Sequence, residues 1–167
     1  MFVGTAVSGV LVSRNAGESW QQVTGIPTTY TVNVVVQDPE RPAYIYVGTK
    51  QALLMSHDGG EHWTRRAGNL PYGDFTSILI NPRNTNEVFA GNAFQNRDFG
   101  DGGGVYRSSD AGMTWTRIDA REHRLPSMQI WALALDLRDQ NTLFVGSHSA
   151  GVYVVSRGGE ASLNSVR

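Results

Sequence analysis

The stretch Ser56-His57-Asp58-Gly59-Gly60-Glu61-His62-Trp63 decides the fold, because the chain repeats it. An upstream copy reads Ser13-Arg14-Asn15-Ala16-Gly17-Glu18-Ser19-Trp20, and a downstream copy reads Ser108-Ser109-Asp110-Ala111-Gly112-Met113-Thr114-Trp115. We call the common pattern, Ser-x-Asp-x-Gly-x-x-Trp with Asn in the first copy, the box. A fourth copy, from Ser156 to Leu163, has lost the Asp and the Trp. The chain is therefore interpreted as an array of one repeated unit.

A second motif, an aromatic residue with Gly two positions later, precedes every box. Its copies begin at Phe2, Tyr46, Phe89 and Phe144, and the last three follow an apolar run. Each unit is interpreted as four short strands, a to d: the apolar run, the aromatic strand, the strand entering the box and the strand that Trp opens. Short strands, dense turn residues and a period of about 40–50 residues predict an all-β fold, a β-propeller of four-stranded antiparallel blades.

The repeat divides a single domain, residues 1–167, into four blades. They span approximately 1–23, 31–67, 75–118 and 129–166, and the first blade lacks its innermost strand, a. An open arc of blades would expose an apolar face at each end, which is costly in water. We therefore expect a partial propeller, completed by the missing blades of a longer chain or by self-association. Closure of a small four-bladed ring is the third possibility.

Composition excludes several classes of function. The chain has 14 Lys and Arg against 15 Asp and Glu, a net charge of −1, which argues against a nucleic acid partner. No apolar run approaches the roughly 18 residues that span a membrane, so no membrane partner is expected. The chain has no cysteine, so it has no disulfide and no thiolate metal site. No signal peptide is visible at the start, and the compartment is left open.

The box residues are expected to be structural. The Asp or Asn side chain can accept N–H groups of its own turn, the Gly can adopt positive φ, and the Trp can pack across the turn. A catalytic group is needed once, whereas the box occurs three times in equivalent places. The residues assigned this role are Ser13, Asn15, Gly17 and Trp20; Ser56, Asp58, Gly60 and Trp63; and Ser108, Asp110, Gly112 and Trp115.

The repeated box after an aromatic-x-Gly strand resembles the Asp-box, or bacterial neuraminidase repeat, propellers. This superfamily includes sialidases, the sortilin-type receptor propeller, xyloglucanase-type glycoside hydrolases and the photosystem II stability/assembly-factor family. The resemblance covers essentially the whole chain and implies a propeller in which the box is a structural hairpin. Because enzymes and non-enzymes share the box, the resemblance leaves the function open. Relatives are often exported, so it also implies an exported protein.

A ligand is expected at the end of the blades opposite the boxes, where the long connections gather. The insert 92–103 and the charged run 121–124 supply the candidate ligand-binding residues: Phe94, Arg97, Asp98, Phe99, Asp101, Arg121, Glu122 and Arg124. Their aromatic and charged side chains favour a protein or carbohydrate partner. The oxygen ligands Asn96, Asp98 and Asp101 lack the spacing and the final Glu of a calcium loop, so no metal and no cofactor is predicted.

The alternative function is a glycoside hydrolase, sialidase-like or xyloglucanase-like, or a fragment of one. That chemistry requires two carboxyl groups about 5–10 Å apart. The acids on the expected ligand face are Asp74, Asp98, Asp101 and Glu122, and their spacing selects no pair. The Phe/Tyr-Arg-Ile-Pro motif of sialidases is absent from the sequence. We therefore favour a non-catalytic binding propeller, with no catalytic residue assigned.

Overall fold

The computed structural model describes residues 1–65, 69–93, 103–119, 127–139 and 141–156. Within these ranges the chain forms strands and turns but no helix, and hence no helix long and apolar enough to cross a membrane. The strands are β1 (Phe2–Gly4), β2 (Val10–Val12), β3 (Gln21–Gln22), β4 (Val32–Gln37), β5 (Ile45–Thr49), β6 (Leu53–Ser56), β7 (Thr64–Arg65), β8 (Phe75–Ile80), β9 (Val88–Asn92), β10 (Gly104–Ser108), β11 (Thr116–Arg117), β12 (Ile130–Leu135), β13 (Thr142–Ser147) and β14 (Gly151–Ser156).

The strands form four antiparallel sheets in chain order. These are β1-β2-β3, β4-β5-β6-β7, β8-β9-β10-β11 and β12-β13-β14, so neighbours in sequence are neighbours in space. The first sheet has no strand before β1, as the sequence predicts, and the segment expected to form the last strand of the fourth sheet lies outside the described residues. The prediction of an all-β chain of antiparallel blades is confirmed. The single domain over 1–167 stays a prediction.

Backbone hydrogen bonds divide the turns between two ends of the sheets. At one end, the box turns bind the turns between strands a and b: Gly59 N donates to Ala43 O at 2.9 Å. We call this the box end. At the other end, the connections between blades bind the turns between strands b and c. There Lys50 N donates to Thr31 O at 3.0 Å, and Gly73 N donates to Gln51 O at 3.1 Å. We call this the loop end.

The core lies between neighbouring blades. Strands β5 and β6 are buried along their whole length, which explains their nearly continuous apolar sequence. Three clusters fill the three interfaces between blades, and they are centred on Val10 and Ile45, on Tyr46 and Phe75, and on Phe89 and Ile130.

Each complete innermost strand carries a β-bulge at the same place. The bulged residues are Asn33, Thr76 and Trp131. A bulge redirects the side chain that it carries. Asn33 Nδ2 donates to Phe75 O at 3.1 Å, and the Thr76 hydroxyl donates to the carbonyl of Ile130. In both cases the bulged residue therefore links its strand to the innermost strand of the next blade.

Candidate functional site

The box turns are closed by their own side chains. In the second box, Ser56 Oγ donates to Asp58 Oδ1 at 2.8 Å and accepts the N–H of Gly60 at 2.9 Å. Asp58 Oδ1 also accepts the N–H of His62 at 2.9 Å. Gly60 has a φ of 91°, a conformation that glycine adopts without steric cost. The same serine and Asp or Asn bonds recur in the boxes at 13–20 and 108–115.

The box carboxylates are held in the ionised form. The backbone N–H of His62, its imidazole and the Ser56 hydroxyl hold the pKa of Asp58 well below its usual range. Burial raises the pKa of Asp110, but hydrogen bonds from Thr114 and Ser108 outweigh it and the pKa is lowered. A general acid in glycoside hydrolysis needs a raised pKa. The box carboxylates are therefore poorly suited to that role.

The three box tryptophans differ in burial. Trp115 is 4% exposed, Trp63 is partly buried and Trp20 is 38% exposed. The cause is that the preceding blade covers each box. Tyr46 Oη donates to Ala111 O, in the third box, at 2.9 Å, and the ring of Phe2 lies close against Gly60 in the second. No described blade precedes the first box, so Trp20 keeps an exposed face. The three indoles therefore occupy the same place in their boxes but differ in how far a neighbouring described blade covers them.

The eight residues predicted to bind a ligand lie outside the described residues, so their role stays a prediction. They are Phe94, Arg97, Asp98, Phe99, Asp101, Arg121, Glu122 and Arg124. The described part of the loop end instead brings together other aromatic and charged side chains.

The first group at the loop end is a cluster of two tyrosines and one arginine. The guanidinium carbon of Arg65 lies 5.4 Å from the ring centroid of Tyr30 and 5.0 Å from that of Tyr72. Such contacts are cation–π interactions. Arg65 is exposed, Tyr72 is 51% exposed, and Tyr30 packs against the core between the first two blades. We call these three residues the Tyr–Arg–Tyr cluster.

Three segments of the fold position the residues of this cluster. Arg65 ends strand β7 and pairs with Leu54 of the neighbouring strand. The backbone N–H of Tyr30 donates to Pro27 O at 3.0 Å, which closes the connection from the first blade. Leu70, two residues before Tyr72, is 1% exposed and anchors the next connection in the core. The three side chains therefore project from fixed backbone.

The second group at the loop end is the pair formed by Trp131 and His148. Their ring centroids lie 5.5 Å apart with an interplanar angle of 38°, and Trp131 is 55% exposed. Trp131 is the bulged residue of the innermost strand, and His148 N donates to Gln129 O at 3.0 Å. An exposed indole therefore lies at the inner edge of the fourth blade.

Two acidic residues belong to the described part of the loop end. Asp74 Oδ1 accepts Asn33 Nδ2 at 2.6 Å. Asp119 is 2% exposed, and its carboxylate binds the guanidinium of Arg117 and the N–H of Val105. Within the described ranges, no group of three or more His, Asp or Glu side chains could hold a metal ion. The described residues thus supply aromatic surfaces and polar partners rather than a pair of unengaged carboxylates.

Sequence reasoning did not select Tyr30, Tyr72 or Trp131 as ligand-binding residues, although the repeat contains a signal for each. Tyr30 follows Trp20 by ten residues and Tyr72 follows Trp63 by nine, so the two tyrosines occupy matching connections. Trp131 occupies the place of Asn33 and Thr76 in the innermost strands. Alignment of the connections as well as the boxes would have placed these residues at one end.

Comparison with known proteins gives a match over most of the chain. A family model described as "Sortilin, neurotensin receptor 3" (Sortilin-Vps10) matches residues 8–151. A probable oligoxyloglucan-reducing end-specific xyloglucanase of Neosartorya fischeri is 29% identical over 97 residues, which are 54% of this chain and 12% of that protein. The corresponding enzyme of Emericella nidulans is 28% identical over 88 residues. The matched part thus spans about an eighth of these relatives' length.

Solved structures share the fold. An ancestral GH74 enzyme superposes with a TM-score of 0.75 at 26% identity, over 96% of this chain and 21% of that one. YCF48 bound to a D1 peptide superposes with a TM-score of 0.63 at 15% identity, over 98% of this chain and 50% of that one. At 15% identity, the similarity to YCF48 shows a shared fold and nothing more.

Proposed function

The chain belongs to the Sortilin-Vps10 family of β-propeller proteins, and we propose that it binds carbohydrate through its loop end. The membership confirms the superfamily expected from the repeats. The single observation that carries the proposal is the exposure of two aromatic rings at the loop end: Tyr72, which is 51% exposed, and Trp131, which is 55% exposed on the innermost strand of the fourth blade, where no further described blade covers it. At the box end, the Ser and Asp side chains are engaged in their own turns, and the indoles of Trp63 and Trp115 donate to the carbonyl oxygens of Gly60 and Gly112.

Exposed aromatic rings beside polar groups suit a sugar. One face of a pyranose ring carries C–H groups that pack on an aromatic ring, while its hydroxyls need hydrogen-bond partners. Trp131 and Tyr72 supply such rings. Asn33 and Asp74, joined at 2.6 Å, and the imidazole of His148 beside Trp131 supply polar groups at the same end.

The relatives favour this ligand class. The proteins matched in sequence carry the name xyloglucanase, and the structure that superposes with a TM-score of 0.75 is a GH74 enzyme. The match covers 12% of the Neosartorya fischeri protein, so activity of the whole relative does not pass to this chain by similarity. A few blades can supply a surface that binds an oligosaccharide, whereas the relative's reaction can depend on parts of the enzyme that this chain does not match.

Hydrolysis is the second candidate function, and the xyloglucanase relatives favour it. The described acids at the loop end support it less well. Asp119 is buried in an ion pair with Arg117, and Asp74 accepts a hydrogen bond from Asn33. Hydrolysis needs one acid with a raised pKa and a second carboxylate across a cleft. We therefore place binding before hydrolysis.

Titration calorimetry with a neutral xyloglucan heptasaccharide tests the proposal. We expect Trp131→Ala to weaken binding about twofold to tenfold, since stacking on an aromatic ring contributes about 0.5–1.5 kcal/mol. The matched control is Trp20→Ala, which removes an exposed indole at the box end and should leave the affinity unchanged. Thermal unfolding of both variants checks that they fold. Equal loss of affinity in the two variants, or no binding by the wild type, would contradict the proposal.

The same samples distinguish binding from hydrolysis. Incubation of the wild type with the oligosaccharide and assay of new reducing ends should show no turnover if the chain only binds. Turnover that disappears on Asp74→Asn, with folding intact, would establish the second candidate function instead.

A further inference from the structure

We infer that the Tyr–Arg–Tyr cluster binds the carboxylate of an acidic sugar residue, a uronate. This inference names a ligand class for one part of the loop end, so it rests on the proposed function. It depends on two features of Arg65: the two rings beside its guanidinium, and the absence of a carboxylate partner for it among the described residues.

Among the described residues, Arg65 lacks the carboxylate partner that four other arginines have. Four arginines form ion pairs with N···O distances of 2.7–2.9 Å: Arg14 with Glu61, Arg41 with Asp38, Arg107 with Glu87 and Arg117 with Asp119. Arg65 is exposed, and within the described ranges its contacts are with aromatic rings. The positive charge of Arg65 therefore has no negative side chain paired with it among the residues that the structure describes.

The geometry leaves the donors of Arg65 available. A guanidinium is planar and carries five N–H donors along its edge, while aromatic rings interact with its faces. The ring centroids of Tyr30 and Tyr72 lie 5.4 and 5.0 Å from the guanidinium carbon, and no hydrogen bond joins the N–H groups of Arg65 to a described residue. The edge can then bind both oxygens of a carboxylate, which is the bidentate arrangement that arginine favours.

The tyrosines distinguish a uronate from other anions. Tyr72 is 51% exposed, so its ring presents apolar surface next to the charge. A uronate has a carboxylate on a pyranose ring whose C–H face can pack on that phenol ring. An acidic peptide offers the carboxylate on a flexible stem without such a face. The nearest acid along the same connection, Asp74, accepts a hydrogen bond from Asn33 at 2.6 Å.

The test compares two ligands that differ only at one carboxyl group, which is charged in the acid and neutral in its methyl ester. Calorimetric titration of the 167-residue chain uses a glucuronoxylo-oligosaccharide with one uronate and the methyl ester of the same molecule. We expect the acid to bind about tenfold to a hundredfold more tightly, the range for a charge-assisted hydrogen-bonded pair. The difference should decrease as salt concentration rises, because Arg65 is exposed.

Three variants assign the effect to the cluster. Arg65→Gln should make the acid and the ester bind equally, and Arg65→Lys should restore part of the preference, because lysine keeps the charge but not the planar fork. Tyr72→Ala should weaken both ligands to a similar degree. Thermal unfolding checks the fold of each variant.

The outcomes separate this inference from the proposed function. If the ester and the neutral xyloglucan heptasaccharide bind but the acid binds no more tightly than the ester, the inference is wrong and the proposed function stands. If the acid's preference survives Arg65→Gln, the inference is wrong as well. If a glutamate-rich peptide binds as tightly as the uronate, the site is a peptide site. If no glycan binds, the proposed function itself fails.

Discussion

Replacement of the box tryptophans by alanine should reduce stability in the order of their burial. Trp115 is 4% exposed, and its Nε1 donates to Gly112 O at 2.9 Å. A tryptophan buries about 150–250 Å², and at about 25 cal/mol per Å² this corresponds to roughly 4–6 kcal/mol as an upper estimate. Large-to-small replacements of buried aromatic residues typically lose about 3–5 kcal/mol, so we expect this range for Trp115→Ala.

The other two tryptophans provide matched comparisons. Trp20 is 38% exposed, so Trp20→Ala should reduce the free energy of unfolding by about 2 kcal/mol, and Trp63→Ala should fall between the two. Trp115→Phe keeps most of the buried ring surface and removes the donor to Gly112, so about 1 kcal/mol is expected.

Urea unfolding followed by far-ultraviolet circular dichroism, at one protein concentration for all variants, measures these differences. Equal losses for Trp20→Ala and Trp115→Ala would refute the reasoning that the preceding blade determines burial. A loss under about 1 kcal/mol for Trp115→Ala would refute its place in the core.

Three further predictions concern turns, charge and close packing, all measured by urea unfolding. Asp58 has a lowered pKa in the folded state, so its stabilising effect is present above about pH 4 and is lost as pH falls toward the folded value. The stability difference between wild type and Asp58→Asn should therefore shrink below about pH 4; a constant difference would contradict this. Glu87 is 1% exposed and binds Arg107 at 2.8 Å, so Glu87→Ala should lose about 3 kcal/mol, and a loss under about 1 would contradict a buried pair. Gly59 has a φ of 78° with no atom within 4 Å of an added Cβ, and the other two boxes carry alanine there, so Gly59→Ala should stay within about 1 kcal/mol of wild type. Gly48→Ala should lose more than Gly59→Ala, because its Cβ would lie 2.5 Å from the carbonyl oxygen of Phe75; the reverse order would contradict this packing.

The fold could be predicted from the sequence because its signals are local and repeated. The Ser56 to Trp63 box contains the groups that close its own turn, and it occurs three times in phase. The aromatic strand before it, Ile45–Thr49, has no strict alternation of apolar and polar residues, which predicts a strand covered on both faces, and β5 is indeed fully buried. The turn-closing side chains of the box and its regular recurrence along the chain were therefore sufficient to predict the blades.

The burial of each tryptophan could not be predicted from the box, because it depends on the neighbouring blade. Trp20 and Trp115 occupy the same position in their boxes, yet one is exposed and the other buried. The β-bulge that carries Trp131 is also invisible in the sequence, since Ile130–Leu135 reads as an uninterrupted strand. Both properties arise only when adjacent strands and blades are assembled.

The Tyr–Arg–Tyr cluster could not be predicted from the sequence for a related reason. Charged and aromatic residues cluster in sequence in the least regular segments, 92–103 and 121–124, and not at these three positions. Tyr30 lies 35 residues before Arg65, and Tyr72 lies seven residues after it. The three side chains meet because successive connections gather at the loop end. Tyr30 and Tyr72 occupy matching connections of the repeat, but neither belongs to a charged run or to a recognisable binding motif.

The most direct test of the central claim, that the loop end and not the box end binds carbohydrate, uses the four tryptophans as reporters. Three of them, Trp20, Trp63 and Trp115, lie in boxes, and Trp131 lies at the loop end. Fluorine NMR of the chain labelled with 5-fluorotryptophan should show one resonance for each, assigned by single replacement with phenylalanine. During titration with a neutral xyloglucan heptasaccharide, the Trp131 resonance should shift in a saturable way while the three box resonances stay in place. A saturable shift of the box resonances with Trp131 unchanged would contradict the account.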